Sequence, residues 1–435
     1  MAQVMKHHNY PERGTGDQFE SYGRVRVYFN VNYDWKNMLN TYTATSGTEA
    51  ERNAVALLMY HAGVASDMKY GTDGSSTNFE KVTEGLNAYF GYDKNIRYLQ
   101  QKWYDKENWE RRVKAQLAAG LPVMYRGGVH VFIVDGYDDI GKFHIKWGWG
   151  GNHDGWYDLN DLSNIGGKSY NTDKGMLMNI KPGKDHKTSY ELGLFSVKTN
   201  KTTVSQNDTF EVTTRIYNTG SEKFPLHQIG AALADNNGNI AAIVGGSSRG
   251  TLGPGQASSE WKINCFIPDF VKPGQYTLKL ISMLTGEEWK AAPFTEVLVT
   301  GVTNNIDFTV TPGETNIKGY GLSLTEFKLT NNVQSQNTDF TAAHNINTAV
   351  FFPGGQVGVA LIDNDDKIVT FIGTGKINAS YNEVSFLSVS CKIPDTVPKG
   401  QYRLKIFTRI GIEGSQWELV PEAEGVTNSI NYEVK

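Results

Sequence analysis

A histidine and a loop of glycine and tryptophan are the residues whose types and spacing are best suited to chemistry. His130 follows Gly127–Gly128 and begins an apolar segment, and the next predicted strand ends in the sequence WGWGG at residues 147–151. Adjacent antiparallel strands would bring His130 close to the corner formed by Lys146 and Trp147. An imidazole beside an open glycine loop suits general acid–base chemistry on an extended substrate, although a single histidine is more often structural.

Hydrophobic periodicity and turn residues predict the elements that would position this histidine. A capping-box pattern at residues 46–49 opens one helix that ends at Gly63, and a second helix runs from about residue 106 to 119. Three short strands are predicted to follow, at residues 121–125, 130–137 and 142–147. The first part of the chain therefore predicts an α+β domain with a mostly antiparallel sheet.

Beyond residues 181–184, which have the composition of a linker, short strand-like runs alternate with turns and contain an internal repeat. Four pairs of segments correspond: residues 230–236 with 358–364, 265–269 with 391–395, 273–276 with 399–402, and 301–304 with 425–428. Two copies of one all-β sandwich domain, of the immunoglobulin-like type, explain this repeat. We therefore predict domains at residues 1–183, 184–304 and 305–435.

The two cysteines of the chain, Cys265 and Cys391, occupy the same position in the two repeats. A disulfide would require equivalent points of two separate domains to approach within about 7 Å at Cα. We therefore predict that each cysteine is a small apolar core residue of its own domain.

Composition excludes several classes of function. With 42 Lys and Arg against 46 Asp and Glu, the chain lacks the excess of basic residues that nucleic-acid binding favours. It has no apolar run of about 18 residues that could span a membrane. Its first residues lack the apolar core of a signal peptide. The protein is then either cytoplasmic or represented by a chain that lacks its natural beginning.

Three groups of residues could indicate metal ions, and each has a simpler interpretation. His7 and His8 have no acidic or cysteine residues clustered nearby, so a helix end explains them better than a metal pair. The acidic runs that begin at Asp235 and Asp363 fall between predicted strands at equivalent repeat positions, where hairpin turns are more typical than calcium sites. We predict no metal and no cofactor.

Residues 1 to about 182 resemble the streptopain family of secreted cysteine peptidases, which belongs to the papain-like clan. The matching motifs are AQVMKHHNYP at residues 2–11, the segments 33–39 and 62–71, HVFIVDG at 130–136, FHIKWGWGG at 143–151 and DGW at 154–156. The resemblance implies a papain-like α+β fold, hydrolysis of peptide bonds in a protein or peptide substrate, and a secreted or cell-surface location.

The resemblance also implies roles for individual residues. His130 stands at the position of the catalytic histidine, which pairs with a cysteine thiolate and later protonates the leaving amine. Trp147 stands at the tryptophan that shields and orients this imidazole. Gly148, Trp149 and Gly150 would border the substrate cleft.

Two departures from the family pattern bear on activity. The family nucleophile lies in a Gly-Cys-Val-Ala-Thr-Ala motif, which would place it about five residues before Met1 and outside this chain. Lys146 stands where the family has an asparagine that accepts a hydrogen bond from the imidazole, and an ammonium has no acceptor. If Lys146 points inward, its charge opposes the imidazolium. If it turns to solvent, a water or a backbone carbonyl orients the ring.

We therefore expect a streptopain-like cysteine endopeptidase that is inactive in the form of this chain. The missing cysteine would reflect either an incomplete reading frame, favoured because the break would fall within a helix, or a natural pseudopeptidase. In the second case the cleft would hold extended peptides without cleaving them. The β-sandwich domains would bind a cell-surface or matrix ligand or act only as spacers.

Overall fold

The structure, a computed structural model, describes residues 1–21, 23–43, 45–183, 191–248, 250–284, 287–292, 294–314, 316–329, 335–377, 380–381, 384–412 and 414–435. Within these ranges the helices are α1 (Ala2–His8), α2 (Glu49–Ala65), α3 (Phe79–Phe90) and α4 (Lys106–Ala118), with 3-10 turns at Trp35–Asn37 and Gln101–Trp103. These helices all lie before residue 119, and the regular structure described beyond that point consists of strands. The protein is therefore mostly β.

A capping box begins α2, two residues later than predicted. The hydroxyl of Thr48 accepts the N–H of Glu51 at 3.3 Å, and the carboxylate of Glu51 accepts the N–H of Thr48 at 2.6 Å. Ser46, the predicted cap, instead accepts the N–H of Thr43 at 2.6 Å and closes the preceding turn. The prediction at residues 46–49 was wrong in register, because both Ser46 and Thr48 satisfy the Ser/Thr-x-x-Glu pattern.

The glycine predicted to end α2 lies inside the helix instead. Gly63 is followed by two more helical residues up to Ala65, and a Cβ atom at Gly63 would lie 1.8 Å from the hydroxyl of Tyr70. Glycine at this position therefore permits close packing and does not terminate the helix.

A six-stranded antiparallel sheet carries the candidate histidine. In pairing order its strands are β3 (Arg97–Gln100), β8 (Gly175–Met178), β4 (Val123–Gly127), β5 (His130–Tyr137), β6 (Phe143–Lys146) and β7 (Gly155–Tyr157). A separate hairpin pairs β1 (Asp17–Phe19) with β2 (Arg26–Tyr28). The three strands predicted between residues 121 and 147 correspond to β4, β5 and β6 within two residues at each end.

Both faces of this sheet are buried, which fixes the position of β5. Met124 and Ile133 face the hydrophobic cluster built by α2 and α3. Phe132 packs on the opposite face in a second cluster, together with Trp109 of α4. Because side chains alternate along a strand, His130 lies on the same face as Phe132.

The chain beyond the N-terminal region (residues 1–183) forms two further parts, which we call the first β region (residues 192–311) and the second β region (residues 322–434). The first is one sheet in the order β10 (Thr203–Ser205), β18 (Ile306–Thr311), β15 (Gly274–Leu284), β12 (Leu226–Ala234), β13 (Ile240–Ser248), β14 (Trp261–Phe266), β11 (Thr209–Asn218), β9 (Leu192–Thr199) and β17 (Phe294–Val297), with β16 (Lys290–Ala291) beside β15. Val212 and Ile263 from one end of this order share a buried cluster with Leu280 from the other. The sheet therefore folds around a single core.

The second β region encloses its core between separate sheets. One sheet contains β19 (Leu322–Leu329), β20 (Asp339–Thr348) and β25 (Val384–Lys392); the other contains β23 (Ile368–Ile377), β22 (Gly355–Ile362), β26 (Gly400–Ile410), β27 (Glu418–Leu419) and β28 (Ile430–Val434); a ribbon pairs β21 (Phe351–Phe352) with β24 (Ser380–Tyr381). Phe340 and Val389 of the first sheet and Val359 and Ile406 of the second lie in one buried cluster.

The same strand pairings occur in both β regions. β11 pairs with β14 as β20 pairs with β25, and β12 lies between β13 and β15 as β22 lies between β23 and β26. Cys265 is opposite Phe210 in the first region, and Cys391 is opposite Phe340 in the second. Both thiols are free and buried in separate cores, as predicted.

The predicted linker at residues 181–184 lies partly against the N-terminal region. Pro182 forms a β-bridge with Tyr92, and the N–H of Gly183 donates to the carbonyl of Gly91 at 3.2 Å. Lys184 lies outside the described residues. The described part of this segment is therefore held by the N-terminal region.

The N-terminal region and the first β region share a hydrophobic cluster. Leu298 and Tyr217 of the first β region are fully buried among side chains of the six-stranded sheet and α4. The hydroxyl of Tyr217 accepts the N–H of Gln100 at 3.0 Å, and Arg97 forms a salt bridge with Glu191. The first β region therefore completes the packing of the N-terminal region.

Trp289 joins the two β regions. Its indole packs against Phe351 of the second region, and its Nε1–H donates to the carbonyl of Pro353 at 2.8 Å. Its backbone N–H donates to the carbonyl of Gly411 at 2.9 Å. Trp417 occupies the corresponding position of the second region, where its ring stacks on Phe371 at a centroid distance of 4.4 Å.

Replacing this tryptophan while keeping an aromatic ring should weaken the junction. Trp289→Phe removes the indole donor and leaves the buried carbonyl of Pro353 unpaired, so we expect the free energy of unfolding to fall by about 1–2 kcal/mol. Urea denaturation measures this loss. Trp417→Phe is the matched control, because Nε1 of Trp417 donates no hydrogen bond within the described chain, and it should cost less. Equal losses in the two variants would contradict the proposed contribution of the hydrogen bond.

Candidate functional site

A tight turn of glycines holds His130 at the first position of β5. Gly127 is paired with His130 across the turn, and Gly128 has a positive φ of 57°. A Cβ atom at Gly127 would lie 2.4 Å from the carbonyl oxygen of Tyr170. The two glycines are therefore required by the backbone conformation and by close packing around the histidine.

One hydrogen bond and one stacked ring orient the imidazole of His130. Nε2–H donates to the backbone carbonyl of Trp147 at 2.8 Å. The ring of Trp149 lies over the imidazole, with centroids 4.9 Å apart and planes 28° from parallel. Nδ1 forms no hydrogen bond with any residue that the structure describes. The half-buried ring thus keeps its proton on Nε2 and leaves the lone pair of Nδ1 open for chemistry.

Trp147 acts on the histidine through its main chain. Its indole is fully buried, with its centroid 4.5 Å from that of Phe132 and 4.9 Å from that of Tyr170. The centroid distance from Trp147 to His130 is 6.2 Å, longer than the distance from Trp149. The ring nearest to the imidazole is therefore that of Trp149, while the backbone carbonyl of Trp147 supplies the hydrogen-bond acceptor.

The loop after Trp147 depends on glycine for its backbone shape. Gly148, Gly150 and Gly151 have φ values of 79°, 66° and 88°, in the left-handed region that other residues rarely adopt. A Cβ atom on any of these three would meet no atom within 4 Å, so the space around the loop is open. The loop therefore offers exposed backbone beside the imidazole.

Lys146 points away from His130. Its ammonium lies 3.2 Å from one carboxylate oxygen of Asp135, whose other oxygen lies 2.6 Å from Nδ1 of His144. Alternation along β6 places Lys146 and His144 on the face of the sheet opposite to that of the buried Ile145. Of the two expected arrangements, the structure has the one in which a backbone carbonyl orients the ring.

A groove of about 1170 Å³ runs from the start of α1 to the turn before β5. Val129 and Val131, which flank His130, line this groove together with Met1, Met59 and Tyr70. Val129 is completely exposed. The groove is thus lined mostly by apolar surface.

Neither cysteine can serve His130 as a nucleophile. Both are buried in the cores of the β regions, outside the hydrophobic cluster that contains Trp147. Burial raises the pKa of the Cys391 thiol to about 12 and also raises the pKa of the Cys265 thiol. Protonated, inaccessible thiols are unreactive. The sequence has no other cysteine.

The histidine pair at the end of α1 is engaged in hydrogen bonds. Nε2 of His7 lies 2.9 Å from the carbonyl of Gly120, and Nε2 of His8 lies 3.0 Å from the carbonyl of Ile180. The two rings therefore tie α1 to the rest of the N-terminal region.

The acidic runs form turns. Oδ1 of Asp235 accepts two backbone N–H groups at 2.9 Å each, and Oδ1 of Asp363 does the same. Within the described part of the chain, no group of three or more His, Cys, Asp or Glu residues could hold a metal ion.

Residues 1–157 match the family model described as the Peptidase C10 family. This part of the chain belongs to the peptidase C10 family. The matched C10 segment contains His130, Trp147, Trp149 and Asp154, whereas Tyr170 lies beyond it. The predicted resemblance to streptopain is confirmed by this match and by the relatives below.

Streptopain of Streptococcus pyogenes is 32% identical over 177 residues, which are 37% of this chain and 44% of that protein. The thiol protease/hemagglutinin PrtT of Porphyromonas gingivalis is 28% identical over 201 residues, which are 42% of this chain and 23% of that protein. The solved structure of Prevotella intermedia interpain A cysteine protease is 35% identical with a TM-score of 0.39, and the match covers 41% of this chain and 80% of that one. The chain spans less than half the length of the curated relatives it matches.

Sequence reasoning missed two acidic residues that shape the site of the C10 segment. Asp135 holds Lys146, and Asp154 binds the backbone of Trp147. Alternation along β5 places Asp135 and His130 on opposite faces, so the first contact had a signal in the sequence. The second contact closes a loop of glycines, whose path the sequence does not determine.

Proposed function

We propose that residues 1–183 form the histidine-bearing part of a papain-like cysteine endopeptidase. The observation that carries this proposal is the state of His130 within the C10 segment: Nε2–H is given to the carbonyl of Trp147, Trp149 covers one face, and Nδ1 is open. Gly148 and Gly150, in the loop that follows Trp147, are proposed to border the substrate cleft. The substrate class is a protein or an extended peptide.

In this proposal the imidazole transfers one proton in two steps. Nδ1 takes the proton of a cysteine thiol, and the thiolate attacks the scissile carbonyl carbon. The imidazolium then donates that proton to the amine that leaves when the C–N bond breaks. Throughout, Nε2–H stays bound to the carbonyl of Trp147. Water hydrolyses the resulting thioester and restores the thiol.

The nucleophile of this reaction is absent from the chain, so we infer that the chain as given does not cleave peptides. Both available cysteines are buried in the β regions, and the N-terminal region contains no cysteine. Lys146, at the position of the family asparagine, is held by Asp135 on the face of the sheet opposite to His130.

We further propose that residues 184–304 and 305–435 are two immunoglobulin-like β-sandwich repeats that follow a peptidase domain at residues 1–183. The recurring strand pairings and the separate cores support this assignment. No helix in the described ranges is long and apolar enough to cross a membrane. A secreted or cell-surface location, with a surface or matrix ligand for the repeats, rests on the family resemblance.

The second candidate function is peptide or surface binding without catalysis. One observation favours it: a lysine in place of the family asparagine at residue 146. PrtT, whose name joins a thiol protease to a hemagglutinin, is consistent with surface binding in such proteins.

The experiment that separates the two functions starts from the coding DNA upstream of the Met1 codon. If the frame continues through a cysteine motif, the extended protein should hydrolyse casein, and thiol alkylation should abolish hydrolysis. His130→Ala should reduce the rate by about 10²–10⁴-fold, while His153→Ala, which removes an exposed histidine of the same loop, should not. An in-frame stop codon, or a folded extended protein without activity, would reject the peptidase proposal in favour of binding.

A further inference from the structure

We propose that Asp154 is a positioning residue for His130 and acts through the backbone of Trp147. The proposal rests on the proposed function only in taking His130 as the residue that does the chemistry. Oδ1 of Asp154 accepts the N–H of Trp147 at 2.9 Å, and the carbonyl of the same residue accepts Nε2–H of His130 at 2.8 Å. One residue thus joins an acidic side chain on one side to the imidazole on the other.

The position of Trp147 in the sheet explains why its backbone needs these partners. The pairing of β5 with β6 ends at Ile133 and Lys146, and the pairing of β6 with β7 ends at Ile145 and Gly155. Trp147 is therefore the first residue beyond the ladder, where no neighbouring strand takes up its N–H and carbonyl. Side chains take up both groups.

Asp154 also closes the loop in which the exposed glycines lie. It directly precedes β7, so its bond to Trp147 joins the two ends of the loop from residue 147 to residue 154. Between those ends stand three glycines with left-handed φ values. Glycine-rich backbone has many accessible conformations, so a bond across the neck of the loop restricts the direction of the carbonyl at its start.

Lys146 and its partner Asp135 offer a matched comparison, because Asp135 is on the strand of His130 and Lys146 directly precedes Trp147, yet both side chains lie on the other face of the sheet. The ammonium of Lys146 is bound to Asp135 at 3.2 Å. Removing Asp135 changes the charge near the site without touching the contacts of Trp147. The geometry therefore assigns orientation of the imidazole to residue 154 and not to the side chain of residue 146.

The test measures the tautomer of His130 in the full-length chain by NMR, with ¹⁵N-labelled histidine. His130→Gln identifies the signal of His130 among the nine histidines. The wild-type chain should show Nε2–H as the main form. Asp154→Ala should raise the share of the Nδ1–H form by about two- to tenfold, the range expected from loss of one hydrogen bond. Asp154→Asn retains an acceptor oxygen and should restore the wild-type spectrum, and Asp135→Ala should leave it unchanged.

Each outcome decides the proposal. An unchanged His130 signal in a folded Asp154→Ala chain would overturn it. Equal changes in Asp154→Ala and Asp154→Asn would also overturn it, because charge and not the hydrogen bond would then be responsible. The readout does not depend on hydrolysis: a shifted tautomer in a protein whose extended form is inactive would reject the peptidase function and leave the positioning role intact.

Discussion

Lowering the pH from 7 to 4 should destabilise the second β region by about 3 kcal/mol through a single residue, His344. His344 is completely buried on β20, with Ala342 and Ile346 as its neighbours on the same face. Phe327 and Leu387, which are opposite it on the adjacent strands, carry no charge. Burial lowers the pKa of His344 to about 4, although the nearby backbone of Ala342 acts in the opposite direction.

The direction of this pH dependence follows from the difference in proton binding by His344 between the folded and the unfolded chain. The unfolded chain binds a proton at this histidine below its ordinary pKa of 6.5, whereas the folded chain does so only near pH 4. The stability of the second β region is therefore complete above pH 6.5 and falls progressively toward pH 4. Urea denaturation at several pH values, followed by hydrogen exchange of β20, measures the effect.

The first β region provides the appropriate substitution. Thr214 stands four residues after Phe210, as His344 stands four residues after Phe340, and its buried hydroxyl donates to the carbonyl of Ser196 at 2.8 Å. His344→Thr should remove most of the loss of stability that the second β region undergoes between pH 6.5 and pH 4. His153→Thr, at an exposed position, should leave this pH-dependent loss of stability unchanged. Equal pH dependence in the wild-type and His344→Thr chains would contradict the assignment to His344.

Leu298→Ala should lower the free energy of unfolding by about 3 kcal/mol and loosen the N-terminal region, from which it is distant in sequence. Leu298 is fully buried and lies in the same cluster as Trp109 of α4. Its carbonyl accepts the N–H of Asp105, the residue that caps α4, at 3.1 Å. Since α4 packs against the face of the sheet that contains His130, the loss of packing caused by a cavity at residue 298 should extend to the candidate site.

Hydrogen exchange and thermal denaturation measure this coupling. Amides of α4 should exchange faster in Leu298→Ala than in the wild-type chain. Leu419→Ala is the control, because Leu419 is 46% exposed on the second β region and should cost much less. If Leu298→Ala lowers stability without changing exchange in α4, the first β region does not support the N-terminal region as the packing indicates.

Local patterns in the sequence predicted the elements around His130, but they did not predict contacts between residues that are distant in sequence. β4, β5 and β6 have short apolar runs bounded by glycine turns, so their existence and order could be deduced. The cap of α2 was misplaced because two overlapping patterns satisfied the same rule. The helix α3 was not predicted at all, although Asn78 caps it by accepting the N–H of Lys81 at 2.9 Å.

Contacts between distant residues could not be deduced in the same way. Leu298 lies in a core built mainly by residues 99–178, and nothing in its neighbouring sequence distinguishes it from other buried leucines. The stacking of Trp149 on His130 depends on the path of a glycine loop. The motif indicated that these residues lie together, but which tryptophan ring covers the imidazole required the structure.

The acceptor for His130 is a main-chain oxygen, and this affects how relatives with altered motifs should be judged. Every amino acid has that oxygen, so its presence cannot be lost by substitution at residue 147, and it leaves no trace in a comparison of side chains. A relative with lysine at the position of Lys146 would be classified as inactive if the motif were scored by identity alone. Sorting such relatives by whether they retain Asp or Asn at the position of Asp154 would give a different division into working and degenerate enzymes.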